Sequence, residues 1–198
     1  MNDTVFNFFV ITDIPGKKVL HVSVSPSLQE KLSEEFRKQR NAFLDERDII
    51  EYRPAYQPTQ DEIFKINPFD DLNDLLSTTN SPSSVESLDP SPEMLEHVKA
   101  FFSTSDDSQE LLFQNFDRRR IISNRSLAII WAKNTYHHME EPGLNLNRSL
   151  GAILRGDELL FHSSWAANRI FDLTSYLKEA TDEQVKYFLN HTHFVRED

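Results

Sequence analysis

The sequence predicts an α+β fold in which antiparallel β-hairpins form a sheet with helices packed on one face. Three observations predict it. Short aromatic and β-branched runs close on Pro15-Gly16 and Gly156-Asp157, which are hairpin turn signals. Ser25-Pro26, Asn67-Pro68 and Ser91-Pro92 each place a capping residue before a proline, the signature of a helix start. The chain has 198 residues, 38% of them apolar, enough for one core.

Val5 to Thr12 and Lys18 to Val24 flank the first turn and form the first hairpin. From Ser25, Leu28, Leu32, Phe36 and Phe43 recur at helical spacing to about Glu46, so this helix lies on the hairpin. Tyr52 to Pro58 is extended and leads into a strand at Glu62 to Ile66. A short acidic helix follows Asn67-Pro68, with Phe69, Leu72 and Leu76 on one face. Serines, threonines and prolines then dominate residues 77–91, which are expected to be a mobile surface linker. It separates an N-terminal hairpin-helix part from a C-terminal sheet-rich part of a single domain spanning 1–198.

After Ser91-Pro92, Leu95, Val98 and Phe102 fit a helix. Leu111 to Phe113 and Leu127 to Ala132 are strand candidates, and Leu150 to Leu154 with Glu158 to His162 make the second hairpin. Ile170 to Leu177 fits strand or helix equally. Thr181 to Gln184 is a capping box that opens a last helix, with Val185, Phe188 and Leu189 apolar.

Composition removes several classes of function. No stretch approaches the roughly 20 apolar residues that cross a bilayer, and the N-terminus lacks a signal peptide's basic start, so a cytoplasmic protein is expected. Without cysteine there is no disulfide, thiolate nucleophile or cysteine metal site. The four glycines form no phosphate-cradling motif.

The net charge of −11 opposes binding to phosphate, but the charge is unevenly spread. Residues 1–117 carry a balance of −12, residues 118–178 one of +4, and residues 179–198 one of −3. The basic segment opens with Arg118, Arg119, Arg120 and Arg125, and Lys133, Arg148, Arg155 and Arg169 extend it if the sheet gathers them. Guanidinium suits phosphate because it stays charged and donates in a bidentate fork. Pairing with the acids of the body is the competing fate of these side chains.

Other chemistry has less behind it. His138 and Glu141 meet a helical ligand spacing, and His191 and His193 lie near the C-terminus, but no firm third ligand accompanies them, so neither a metal nor a cofactor is expected. Ser163 and Ser164 beside His162 lack a nucleophile elbow. Asp70, Asp71 and Asp74 would suit a magnesium-dependent nuclease but fit a solvated helix face better. Binding is therefore expected over catalysis, with no catalytic residue assigned.

The stretch from Leu111 through Arg118-Arg119-Arg120 to Ile122, then Pro142 to Leu146, Leu159 to Ser163, Asn168 to Leu173 and Glu179 to Glu183, resembles the N-terminal part of the KwaB-like proteins of the Kiwa antiphage system. Tyr52 to Tyr56 followed by Asp61 to Ile63 is similar too. The resemblance implies a cytosolic DNA-binding protein of bacterial defence that pairs with a membrane-protein partner, and it carries over no catalytic residue. Members of that family continue into a helical C-terminal half. The partners expected are thus DNA through the arginine segment, a membrane protein through the resemblance, and a second copy of the chain. A protein-interaction or oligomerisation module with an acidic surface is the alternative.

Overall fold

The computed structural model describes residues 6–53, 56–67, 81–104, 109–122, 129–139 and 141–176, together with Phe69, Leu75, Thr78 and Thr79. Among these residues, twelve strands run in chain order as β1 (Phe8–Thr12), β2 (Val19–His21), β3 (Asp48–Glu51), β4 (Glu62–Ile66), β5 (Val98–Thr104), β6 (Glu110–Asn115), β7 (Ile121–Ile122), β8 (Ile129–Ala132), β9 (Thr135–His138), β10 (Gly143–Leu144), β11 (Ala152–Arg155) and β12 (Glu158–Phe161). The helices among the described residues are α1 (Pro26–Leu44), α2 (Pro92–Leu95) and α3 (Ser164–Asn168).

Eight strands form one sheet in the order β2-β1-β5-β6-β11-β12-β4-β3. Every neighbouring pair is antiparallel except β3 with β4. The fold is α+β, as the mixed periodicities predict. Both hairpin turns stand where the sequence puts them, and Gly16 at φ +77° and Gly156 at φ +58° take the left-handed backbone those turns need.

Register explains the core. Phe9, Phe102, Phe113, Ala152, Phe161 and Phe64 are successive cross-strand partners, so they stand in a row on one face. The rings of Phe9 and Phe102 stack at 5.4 Å and those of Phe102 and Phe113 at 5.0 Å. Alternation sends Phe8, Val10, Phe101, Leu112, Ile153 and Leu160 to the other face, where Phe36 and Phe43 of α1 cover them. Helical cover is not confined to that face, because Ala167 of α3 with Ile170, Phe171 and Leu173 closes the first one. Strands buried on both faces read as continuous apolar runs, and Phe8–Thr12 is buried throughout.

Three local expectations give way. Ser91 caps a helix as predicted, its hydroxyl accepting from Met94 N at 3.4 Å, but α2 ends at Leu95 and Val98–Thr104 is a strand. The spacing of Leu95, Val98 and Phe102 is coincidental, since a run of Phe, Ser and Thr between two other strands gains more from ladder hydrogen bonds than from a helix. The 77–91 linker, over its described part, is docked: His21 N donates to Glu86 O, Leu88 N donates to His21 O, and Lys17 pairs with Glu86 at 2.5 Å. Val85 and Leu88 pack against the core, and strands from both sides of this segment interleave in one sheet. His137 and His138 lie on β9 and not on a helix, so the helical ligand spacing to Glu141 does not apply. Within the ambiguous run Ile170–Leu177, residues 174–176 form a short 3-10 turn, and Leu177 lies outside the described residues.

The helix after Asn67, Asp70, Asp71 and Asp74, the Thr181 capping box, and His191 and His193 lie outside the described residues, save for Phe69 and Leu75, which are buried. No helix among the described residues is long and apolar enough to cross a membrane.

Candidate nucleic-acid interface

The arginine run is a turn, not a strand. After β6, buried Phe116 anchors the chain and Asp117 caps the turn beyond it, its carboxylate accepting from Arg119 N at 2.9 Å. Arg118–Arg120 close a 3-10 turn as Arg120 N donates to Asp117 O at 3.0 Å. Three residues per turn space the side chains around the turn, and all three border one concavity. Arg118 meets Glu96 at 2.7 Å and Arg120 donates to Asn145 O at 3.4 Å.

The neighbouring loop is fixed by a buried amide. Gln114, 1% exposed, donates to Gln39 Oε1 at 2.7 Å and to Asn147 O at 3.0 Å, and accepts from Asn147 N at 2.9 Å. This network holds the loop that carries Arg148 against the sheet. Asn145 N donates to Arg120 O at 2.8 Å, which joins the same loop to the arginine turn. On the other side, Ser163 caps α3 by accepting from Ala166 N at 3.2 Å. The helix presents Trp165, 71% exposed, with the Arg169 guanidinium 5.1 Å from the ring centre.

Two concavities result, of about 510 Å³ and about 440 Å³. Asn115, Asn147 and Ala166 line both, so together they make one groove. The first holds Arg118, Arg119, Arg120, Arg169 and Trp165, and the second holds Arg148, Arg47 and His162. Asn115 stands where they meet, donating to Ala166 O at 2.7 Å. Gly151 makes room for it, since a Cβ there would fall 2.1 Å from Asn115 Oδ1.

His162 closes the inner end. Its Nδ1–H donates to Glu62 O at 3.2 Å, which leaves Nε2 as the acceptor facing Arg47. The ring of Phe43 lies 4.5 Å away. Burial, and then the Arg47 charge, push the imidazole below its ordinary value of 6.5, so it is held neutral.

Five of the eight predicted binding residues, Arg118, Arg119, Arg120, Arg148 and Arg169, line this groove. Arg155 does not: it faces Glu110 across the β6–β11 ladder and donates to that carboxylate at 2.7 Å. Lys133 sits with Asn134 at the tip of the separate β8–β9 hairpin, both with φ near +50 to +63°, and is absent from the groove lining. Arg125 lies outside the described residues.

Sequence reasoning missed Arg47, His162 and Trp165. Arg47 lies in the acidic part of the chain and gives no local signal. Trp165 and Arg169, four residues apart after a serine cap, are legible as a helical cation–ring pair. No protein-family model matches this chain, and neither a curated protein nor a solved structure matches it.

Proposed function

We propose that this chain is a non-catalytic DNA-binding module of a bacterial antiphage defence protein. One observation carries the reading. Among the described residues, the joined groove is lined by six arginines and one carboxylate, Asp117, in a chain whose net charge is −11. Arg119, Arg148 and Arg169 have no carboxylate partner among the described residues. Uncompensated guanidiniums repel one another, and a polyanion relieves that repulsion while releasing its own counterions. The resemblance to KwaB-like proteins supports the defence setting and a membrane-protein partner, by which a cytoplasmic chain would be brought to the membrane.

DNA affinity measured across several salt concentrations tests the proposal, with the R118A/R119A/R120A variant beside the wild type. Each arginine that contacts a phosphate is expected to contribute about one unit of salt slope. A folded variant with wild-type affinity and slope would remove the reading, and the acidic surface would then point to a protein partner.

A further inference from the structure

Resting on the nucleic-acid reading, we infer that the groove takes a single strand and not a duplex, with an unstacked base laid on Trp165. Two features point to this: an exposed ring, and the concave form of its surroundings. An indole left 71% exposed keeps a large apolar face in water, and neither core cluster of the described residues includes it. The ring is also pre-oriented. Arg169, one helical turn further on, stands 5.1 Å from its centre, so little rotamer freedom remains to be lost when a base stacks on it.

Bases within a duplex are already stacked and show only their edges, so Trp165 has no face to meet there. Reading a duplex through its major groove requires a convex helix or ribbon that enters a groove about 12 Å wide. Here the arginines line a hollow instead, and the helix beside it, α3, has five residues. A single strand can lie in the hollow with its bases turned to the ring and its phosphates to Arg118–Arg120. The same path continues past Asn115 to Arg148. Sequence-tolerant stacking beside a basic track is the mode by which single strands are generally held.

The test is fluorescence anisotropy with the full chain, a labelled mixed-sequence DNA strand and the same strand annealed to its complement. Wild-type protein is expected to bind the strand more tightly than the duplex. Trp165→Ala should weaken strand binding by about tenfold, with Trp165→Phe restoring most of it and duplex affinity unmoved by either. Equal affinity for strand and duplex overturns the inference. So does strand binding that Trp165→Ala leaves intact while R118A/R119A/R120A weakens both ligands, an outcome under which the nucleic-acid reading survives alone. Absence of binding to either ligand overturns both. Because Trp165 is exposed, these variants are expected to fold.

Discussion

Two arginine centres on this molecule use the same side chain in opposite ways. At the first, Glu110 is 4% exposed on β6 and is held by Arg155 at 2.7 Å and by Arg40 Nη2 at 3.0 Å. Burial alone would raise that carboxyl, but the two guanidiniums outweigh it and keep it below its ordinary value. At the second, six arginines line the groove with one carboxylate, Asp117, among its described lining residues, and Glu96 pairs with Arg118 beside it. Arg148 and Arg155 are seven residues apart in the chain, yet one faces solvent in the groove and the other is committed to a buried carboxylate. Cross-strand register commits Arg155, which stands directly opposite Glu110, whereas Arg148 lies in the loop before β11 and is held to no strand register.

The largest expected effect breaks the first centre. Glu110→Gln removes the charge that two guanidiniums share, and the loss expected from charge-assisted hydrogen bonds is about 2–3 kcal/mol in thermal or denaturant unfolding. Since the folded carboxyl titrates below 4.5, its contribution is fully present above pH 4.5 and is lost as pH falls through the lower folded value. The variant should lack that acid-side decline. An unchanged stability curve would show that the pair adds nothing and that the two centres differ only in appearance.

That distinction marks the limit of what the sequence shows. Hairpins with turn glycines and capped helix starts are set by neighbours in the chain, so β1, β2, α1, β11 and β12 are legible from local pattern. The arginine segment is legible as a charge density for the same reason. Partnership across the sheet is not local. Nothing near Val98–Thr104 announces that it lies between β1 and β6, and nothing near Arg155 announces Glu110. The missed residues Arg47 and His162 meet each other across 115 residues of chain.

Gly151→Ala sharpens the comparison at the groove. The added Cβ forces Asn115 to swing away from Ala166 O, and a lost part-buried hydrogen bond costs about 1 kcal/mol. Because Asn115 lies between the two concavities, DNA affinity should fall with stability, whereas Glu110→Gln should lower stability and spare the salt slope. If Gly151→Ala alters neither, the division of the groove around Asn115 has no functional weight.

Arg119→Ala with Arg148→Ala gives the converse. Neither side chain has a carboxylate partner among the described residues, so unfolding stability should stay within about 0.5 kcal/mol of the wild type while the salt slope of DNA binding drops. A clear loss of stability would mean that the groove arginines resemble Arg155 after all.

The smallest effect concerns Arg47, which lines the groove but meets a neutral histidine in place of an acid. Burial first, and Arg47 second, depress the His162 imidazole below 6.5. Between that value and the lower folded one, the unfolded chain binds a proton that the folded chain does not, so stability is highest above pH 6.5 and declines as pH falls below it. The decline is a fraction of the roughly 1.4 kcal/mol per pH unit that one proton can supply. His162→Gln should flatten it, because an amide can still accept from Arg47 but cannot titrate. Urea unfolding followed across mildly acidic pH, wild type against variant, measures the difference. An identical decline in both would place the proton on another group and leave Arg47 facing a histidine of ordinary basicity.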